Sequence, residues 1–290
     1  MSSVNVVEEW VTLSDGQKQY TKTWKVTPSA KAHLVVIHGF GDHCSRYDPL
    51  CRVFAEHGIE SHGIDERGWG ETGKRDQSFG NNQGYNTALS DINEAVNRTK
   101  QPGVPLFLLG HSMGGGLILN YTARKEQYDG VAKITGAIAS APLVTLTTPV
   151  NAIKYHGLKL VSHLLPSFGI RADLNPEAMS HDLEEIEKYK NDPLVHDFTT
   201  IGTAGGFLEA GKDLLTIGSK ITTPILFSHG DADPVNLYAS TKRVYEITSS
   251  SDKELKTWEG LLHELHHERK PDRDAVAEYY TNWIKHRIPQ

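Results

Sequence analysis

Five short apolar runs set the rhythm of the chain: "HLVVIHG" (33–39), "IESHGID" (59–65), "PLFLLGH" (105–111), "ITGAIASAP" (134–142) and "PILFSHG" (224–230). Longer helix-compatible segments separate them. Continuous apolar runs of this length suit strands covered on both faces, and their alternation with helices predicts a mostly parallel sheet flanked by helices. Ahead of them, "WVTLSDGQKQYTKTWKV" (10–26) alternates apolar and polar residues on either side of Asp15-Gly16, which predicts a two-stranded hairpin. Between 148 and 219 the strand rhythm stops, and the chain becomes helical, polar and punctuated by proline. That stretch is expected to be an insertion over the end of the sheet, dividing a core made of 1–147 and 220–290. Apolar residues at helical spacing across 272–288 predict a closing helix.

At 290 residues the chain can bury a full core, in keeping with one large domain carrying an insertion. Thirty-six acidic against 30 basic residues leave a net charge of −6, and no basic block occurs, which argues against a nucleic-acid partner. The first ten residues hold two acids and no apolar run, so a secretory signal is not expected. No run approaches the length of a bilayer span. The two cysteines, Cys44 and Cys51, suit a reducing compartment better than a disulfide scaffold. Together these features predict a cytoplasmic protein that is not secreted.

In a parallel sheet, functional groups collect after the carboxyl ends of the strands. There, Gly110-His111-Ser112-Met113-Gly114 matches G-x-S-x-G, a nucleophile on a sharp strand-to-helix turn where larger flanking side chains would clash. A serine hydroxyl needs a base, and the base an orienting carboxylate. "PILFSHGDADPV" ends a strand with two candidate acids, Asp231 and Asp233, and "KTWEGLLHELHHE" supplies histidines after the next apolar run. An oxyanion also needs backbone N–H donors. The turn in "VVIHGFGDH" offers one at Phe40, and Met113, after the serine, offers the other. Four separate segments thus agree on acyl transfer through a serine.

Through these residues the sequence resembles the monoacylglycerol lipases of the α/β-hydrolase superfamily, often grouped with lysophospholipases. The likeness runs along nearly the whole chain, through "HGFGDHCSRYDPL", "DERGWGETGKR", "GHSMGG", "SAPL", "YKNDPLV", "HGDADPV" and "GLLHELHHE". It implies an α/β-hydrolase fold with a helical cap, or lid. It also implies Ser112 as nucleophile, Asp233 as the acid, His263 as the base, and oxyanion donors at Phe40 and Met113. The reaction would release glycerol and a fatty acid from a monoacylglycerol, with no metal or organic cofactor. Tyr189, just before "NDPL", is by the same resemblance a candidate to meet the glycerol hydroxyls. One departure is visible: the family often has Glu and Ser where this chain has Asp42 and Cys44.

The insertion opens with "NAIKYHGLKLVSHLLPS" (151–167), in which helical spacing gathers Ile153, Leu158, Leu160, Val161, Leu164 and Leu165 on one side. A helix packed on the core would show that stripe. So would a lid lining the acyl entrance and dipping into a membrane or lipid-droplet surface. Two rivals remain for the chemistry. "HELHH" (263–267) fits the zinc motif H-E-x-x-H, although Pro271 follows closely and no third ligand is spaced as that motif needs. A lysophospholipase, a broad carboxylesterase or a non-catalytic ligand-binding protein could share the fold. Oligomeric state is not legible.

Overall fold

The computed structural model describes residues 4–149 and 165–289. The chain opens with the antiparallel hairpin β1 (Asn5–Thr12) and β2 (Lys18–Lys25), closed by a turn in which Gly16 takes φ +89°. β3 (Ala32–Ile37), α1 (Asp48–Glu56), β4 (Ile59–Ile64), α2 (Gly70–Asp76), α3 (Tyr85–Thr99), β5 (Leu106–His111), α4 (Met113–Thr122) and β6 (Gly136–Ser140) follow. The predicted insertion contains β7 (Gly169–Arg171), α5 (Leu183–Asn191), β8 (Phe198–Thr200) and α6 (Ile201–Ile217). β9 (Ile225–Gly230), α7 (Tyr238–Ile247), β10 (Lys253–Trp258) and α8 (Lys270–Lys285) complete the described chain.

Eight strands form one sheet in the order β1-β2-β4-β3-β5-β6-β9-β10, antiparallel through β1, β2 and β4 and parallel from β4 onward. The apolar runs become its central strands because both of their faces are covered. Val35 and Ile37 of β3 and Leu106 and Leu108 of β5 enter one core with α3, α4, α6 and α7. Their alternate neighbours Leu34, Val36, Phe107 and Leu109 enter a second core with α1 and α8. Each such side chain contributes about 1.5–3 kcal/mol by burial. α8 meets the second core through Val276, Ala277, Tyr280, Trp283 and Ile284, the spacing of one helical face. Its first turn holds Pro271, so the proline starts a helix here. Cys44 and Cys51 lie fully buried as free thiols near α1, and burial pushes the pKa of both upward.

Within 148–219 the described residues hold two short strands beside the expected helices. β7 and β8 pair antiparallel in a separate two-stranded sheet, each only three residues long, too short to leave an alternating pattern. Asp182 caps α5 by accepting from Glu184 N, and Thr200 caps α6 by accepting from Thr203 N. Five residues of the expected lid stripe, Ile153, Leu158, Leu160, Val161 and Leu164, fall outside the described residues. The sixth, Leu165, is 56% exposed, and so is nearby Phe168 at 58%. Among the described residues, no helix is long and apolar enough to cross a membrane.

Candidate active site

Ser112 sits between β5 and α4 with φ +54°, a conformation that L-residues avoid and that a sharp turn imposes. The glycines make this turn possible. A Cβ on Gly110 would come within 2.3 Å of Gly114 O, and one on Gly114 within 2.3 Å of Ile37 O, so each must lack a side chain. The turn is held by Ser112 N donating to Ser140 O and by Leu143 N donating to Ser112 O.

The sequence candidates meet at this turn. Ser112 Oγ lies 2.9 Å from His263 Nε2, and His263 Nδ1 lies 2.8 Å from Asp233 Oδ2. These residues come from the ends of β5, β9 and β10, three strands whose carboxyl ends share one edge of the sheet. Asp233 Oδ1 accepts from Val235 N at 2.7 Å and Asn236 N at 3.0 Å. Burial would raise the Asp233 pKa, but the facing His263 and the His229 hydrogen bond outweigh it and hold the carboxyl well below the carboxylate range. For His263, burial disfavours the charged ring, while the Asp233 charge and hydrogen bond reverse the balance and raise its pKa. Asp231 turns elsewhere, accepting from Gly260 N at 2.7 Å, where it closes the loop before His263.

Two participants in this network carried no assignment from sequence. His229 Nε2 lies 2.9 Å from the same Asp233 Oδ2, and its Nδ1 lies 2.9 Å from Thr241 Oγ1. Asn236 Nδ2 donates to Ala141 O at 2.8 Å and approaches Ser112 Oγ at 3.4 Å. His229 stands inside the "HGDADP" motif that marked Asp233, so a signal existed. Asn236 had none. His111 packs 4.8 Å from the His263 ring, and burial pushes its pKa down to about 3, keeping it neutral.

The H-E-x-x-H residues diverge. His263 faces Ser112 and Asp233; Glu264 receives Arg46 through two bonds of 2.8 and 2.7 Å; His267 Nδ1 lies 2.7 Å from Glu264. Arg46 also bonds Asp42 at 3.1 Å and covers the face of the Tyr189 ring at 4.9 Å. Asp42, one of the two departures from the family pattern, is thus an ion-pair partner of Arg46 beside the site. Cys44, the other, packs away from it, its backbone N donating to Asp65.

A cavity of 480 Å³ opens over Ser112, within the range of small-ligand sites. Phe40 and Met113 border it beside Ser112, and Leu143, Leu174, Ile201 and Phe207 give it apolar walls. Tyr189 also lines it and is itself buried. The insertion is fastened beside this cavity. Glu268, fully buried, accepts from His181 N at 3.1 Å and from Leu262 N, next to His263, at 2.9 Å. His196 N donates to Gly41 O at 3.1 Å, and Glu264 N to Met179 O at 2.7 Å.

Residues 28–270 match the family described as serine aminopeptidase, S33. A Dictyostelium discoideum relative, named as an uncharacterized abhydrolase domain-containing protein, is 32% identical over 95% of this chain. The chain spans only 28% of that relative's length. A monoglyceride lipase homolog of Monkeypox virus is 30% identical, with 94% of this chain and 96% of the viral protein aligned. A crystal structure of a soluble variant of monoglyceride lipase from Saccharomyces cerevisiae, in complex with a substrate analog, superposes with a TM-score of 0.88. Its identity is 25%, over 100% of this chain and 97% of that one. By this match and these likenesses, the chain belongs to the serine aminopeptidase S33 family, as an α/β-hydrolase of the monoglyceride lipase group.

Proposed function

We propose that the protein hydrolyses the ester bond of monoacylglycerols, with Ser112, His263 and Asp233 as its catalytic residues. The observation that carries this reading is the unbroken hydrogen-bonded chain from Asp233 through His263 to Ser112 at the wall of an apolar-lined cavity. Ser112 Oγ attacks the ester carbonyl while His263 Nε2 takes its proton. The backbone N–H groups of Phe40 and Met113 receive the oxyanion. His263 returns the proton to the departing glycerol oxygen, leaving an acyl group on Ser112. Water, deprotonated by His263, then attacks this acyl-enzyme and releases the fatty acid. Throughout, Asp233 keeps the His263 proton on Nδ1 and offsets the imidazolium charge.

Tyr189 is the residue we assign to the glycerol hydroxyls, because it lines the cavity and its ring is held by Arg46. The family description names an aminopeptidase, which must hold a substrate ammonium. Asp42 and Glu264, two of the acids that line the cavity, are both committed to Arg46, which favours an uncharged ester. Ile170 and Arg171 line the cavity close to exposed Leu165 and Phe168. We assign that apolar rim to contact with a membrane or droplet surface, with the predicted lid of the 148–219 insertion as its continuation.

Hydrolysis rates on mono-, di- and triacylglycerols, a lysophospholipid and a short-chain ester test the substrate. The monoacylglycerol is expected to turn over fastest; a preference for the lysophospholipid or the short ester would replace the assignment. Ser112→Ala should abolish turnover and labelling by a fluorophosphonate with the fold intact. Labelling that persists at another serine, with activity retained, would remove Ser112 as nucleophile.

A further inference from the structure

A separate cavity of 210 Å³ lies between the β2–β4 side of the sheet and the end of α3, lined in part by Thr23, Lys25, Glu60, His62 and Arg98. Two of its lining residues, Glu60 and His62, stand with the buried His33 as three potential ligands. His33 of β3 and Glu60 of β4 are register partners, and His62, two residues beyond Glu60, projects from the same face. His33 Nδ1 lies 3.0 Å from His62 Nε2 and 3.7 Å from Glu60 Oε1, and His62 Nε2 lies 3.5 Å from Glu60 Oε1. Three ligands of a tetrahedral zinc stand about 3.3 Å apart, and an atom about 2.1 Å from all three corners stands about 0.7 Å above a triangle of these edges, as tetrahedral coordination needs.

We propose that His33, Glu60 and His62 form a site for a divalent transition metal of the zinc class, with its fourth position open to water in the cavity. Both imidazoles bind neutral, with their protons on His33 Nε2 and His62 Nδ1. Thr23 Oγ1, 3.4 Å from His62 Nδ1, is placed to accept the second of these protons and so fix the tautomer. Val26 N donates to Glu60 Oε2 at 3.0 Å, which orients Oε1 toward the histidines. The competitor is Lys25, whose Nζ lies 3.3 Å from Glu60 Oε1; its side chain is 42% exposed and swings out to water when the metal enters. With Arg98 also beside the cavity, local positive charge keeps the affinity modest. The metal pins β3 to β4 near their starts, about 20 Å along the strand from the Phe40 turn, so it stabilises the sheet without touching the hydrolytic site.

The test is a titration of the EDTA-treated full chain with Zn²⁺ by calorimetry and with Co²⁺ by visible absorption. One equivalent of metal is expected, with the intense d–d bands of tetrahedral Co²⁺ and a rise in Tm. Glu60→Gln and His62→Gln should each weaken binding by about tenfold or more. Lys25→Ala, a change at a half-exposed side chain, should tighten it several-fold by removing the competing ammonium. Absence of stoichiometric binding overturns the proposal. So does binding unchanged in both Glu60→Gln and Lys25→Ala, which would put the metal elsewhere, His263 and His267 included. Should Glu60→Gln or His62→Gln lose its circular-dichroism signature, the Lys25→Ala arm and the Co²⁺ spectrum decide alone.

Discussion

Asp231 and Asp233 stand two positions apart in one loop, yet only Asp233 reaches His263. Asp233→Asn is expected to lower kcat by about 10⁴-fold, because the imidazole loses its orienting carboxylate. Asp231→Asn should cost less than about tenfold, since a loop bond alone is lost. Reversed effects in steady-state assays would exchange the two assignments. The pH profile follows from the same pair. Burial opposes charge on His263, but Asp233 outweighs it and raises its pKa. As the proposed base, His263 would work only when neutral, so activity should fall as pH drops through that raised value, above the ordinary imidazole value of about 6.5. In Asp233→Asn the residual activity should keep its acid limb at lower pH; an unmoved limb would mean another group titrates. Spacing alone offered both acids and three histidines, and the family pattern chose among them. The Arg46–Glu264 pair, 218 positions apart, left no trace that one sequence could reveal.

The central strands β3, β5, β6 and β9 were legible because their burial on both faces is written as a nearly continuous apolar run. β10, "KELKTW", was not among the predicted strands, since an edge strand is only half-covered and can carry lysines. β7 and β8 were missed through brevity. Exposed Phe168, two residues before Ile170 of the cavity wall, follows the apolar stretch of the insertion and bonds to α6 through Ile201 N donating to its carbonyl. Phe168→Asp should weaken binding to phospholipid vesicles by about tenfold, the scale of one buried aromatic side chain. It should also slow monoacylglycerol hydrolysis while leaving Tm and short-ester hydrolysis nearly unchanged. A large fall in Tm with both substrates lost together would make the rim part of the packing and remove the proposed surface contact.

For the molecule as a whole, composition and periodicity were enough to read a mostly parallel sheet flanked by helices, because those are averages over many residues. How residues 148–219 are fastened could not be read, because it rests on single long-range bonds such as those of His181 N to Glu268 and Glu264 N to Met179 O. Glu268 joins the insertion to the loop that carries His263, so motion of the one is mechanically tied to placement of the other. The two thiols, Cys51 on α1 and Cys44 just before it, have a different consequence. Cys44 and Cys51 have no solvent contact, and burial holds both protonated. A thiol-specific reagent can therefore react only in molecules in which the packing around these thiols has opened, and the labelling rate counts how often that occurs. Both thiols should react together, orders of magnitude more slowly than in denaturant. Fast reaction of one alone would reveal a separate fluctuation of the segment from 44 to 56. The chain thus carries, without any added probe, a clock for its own unfolding.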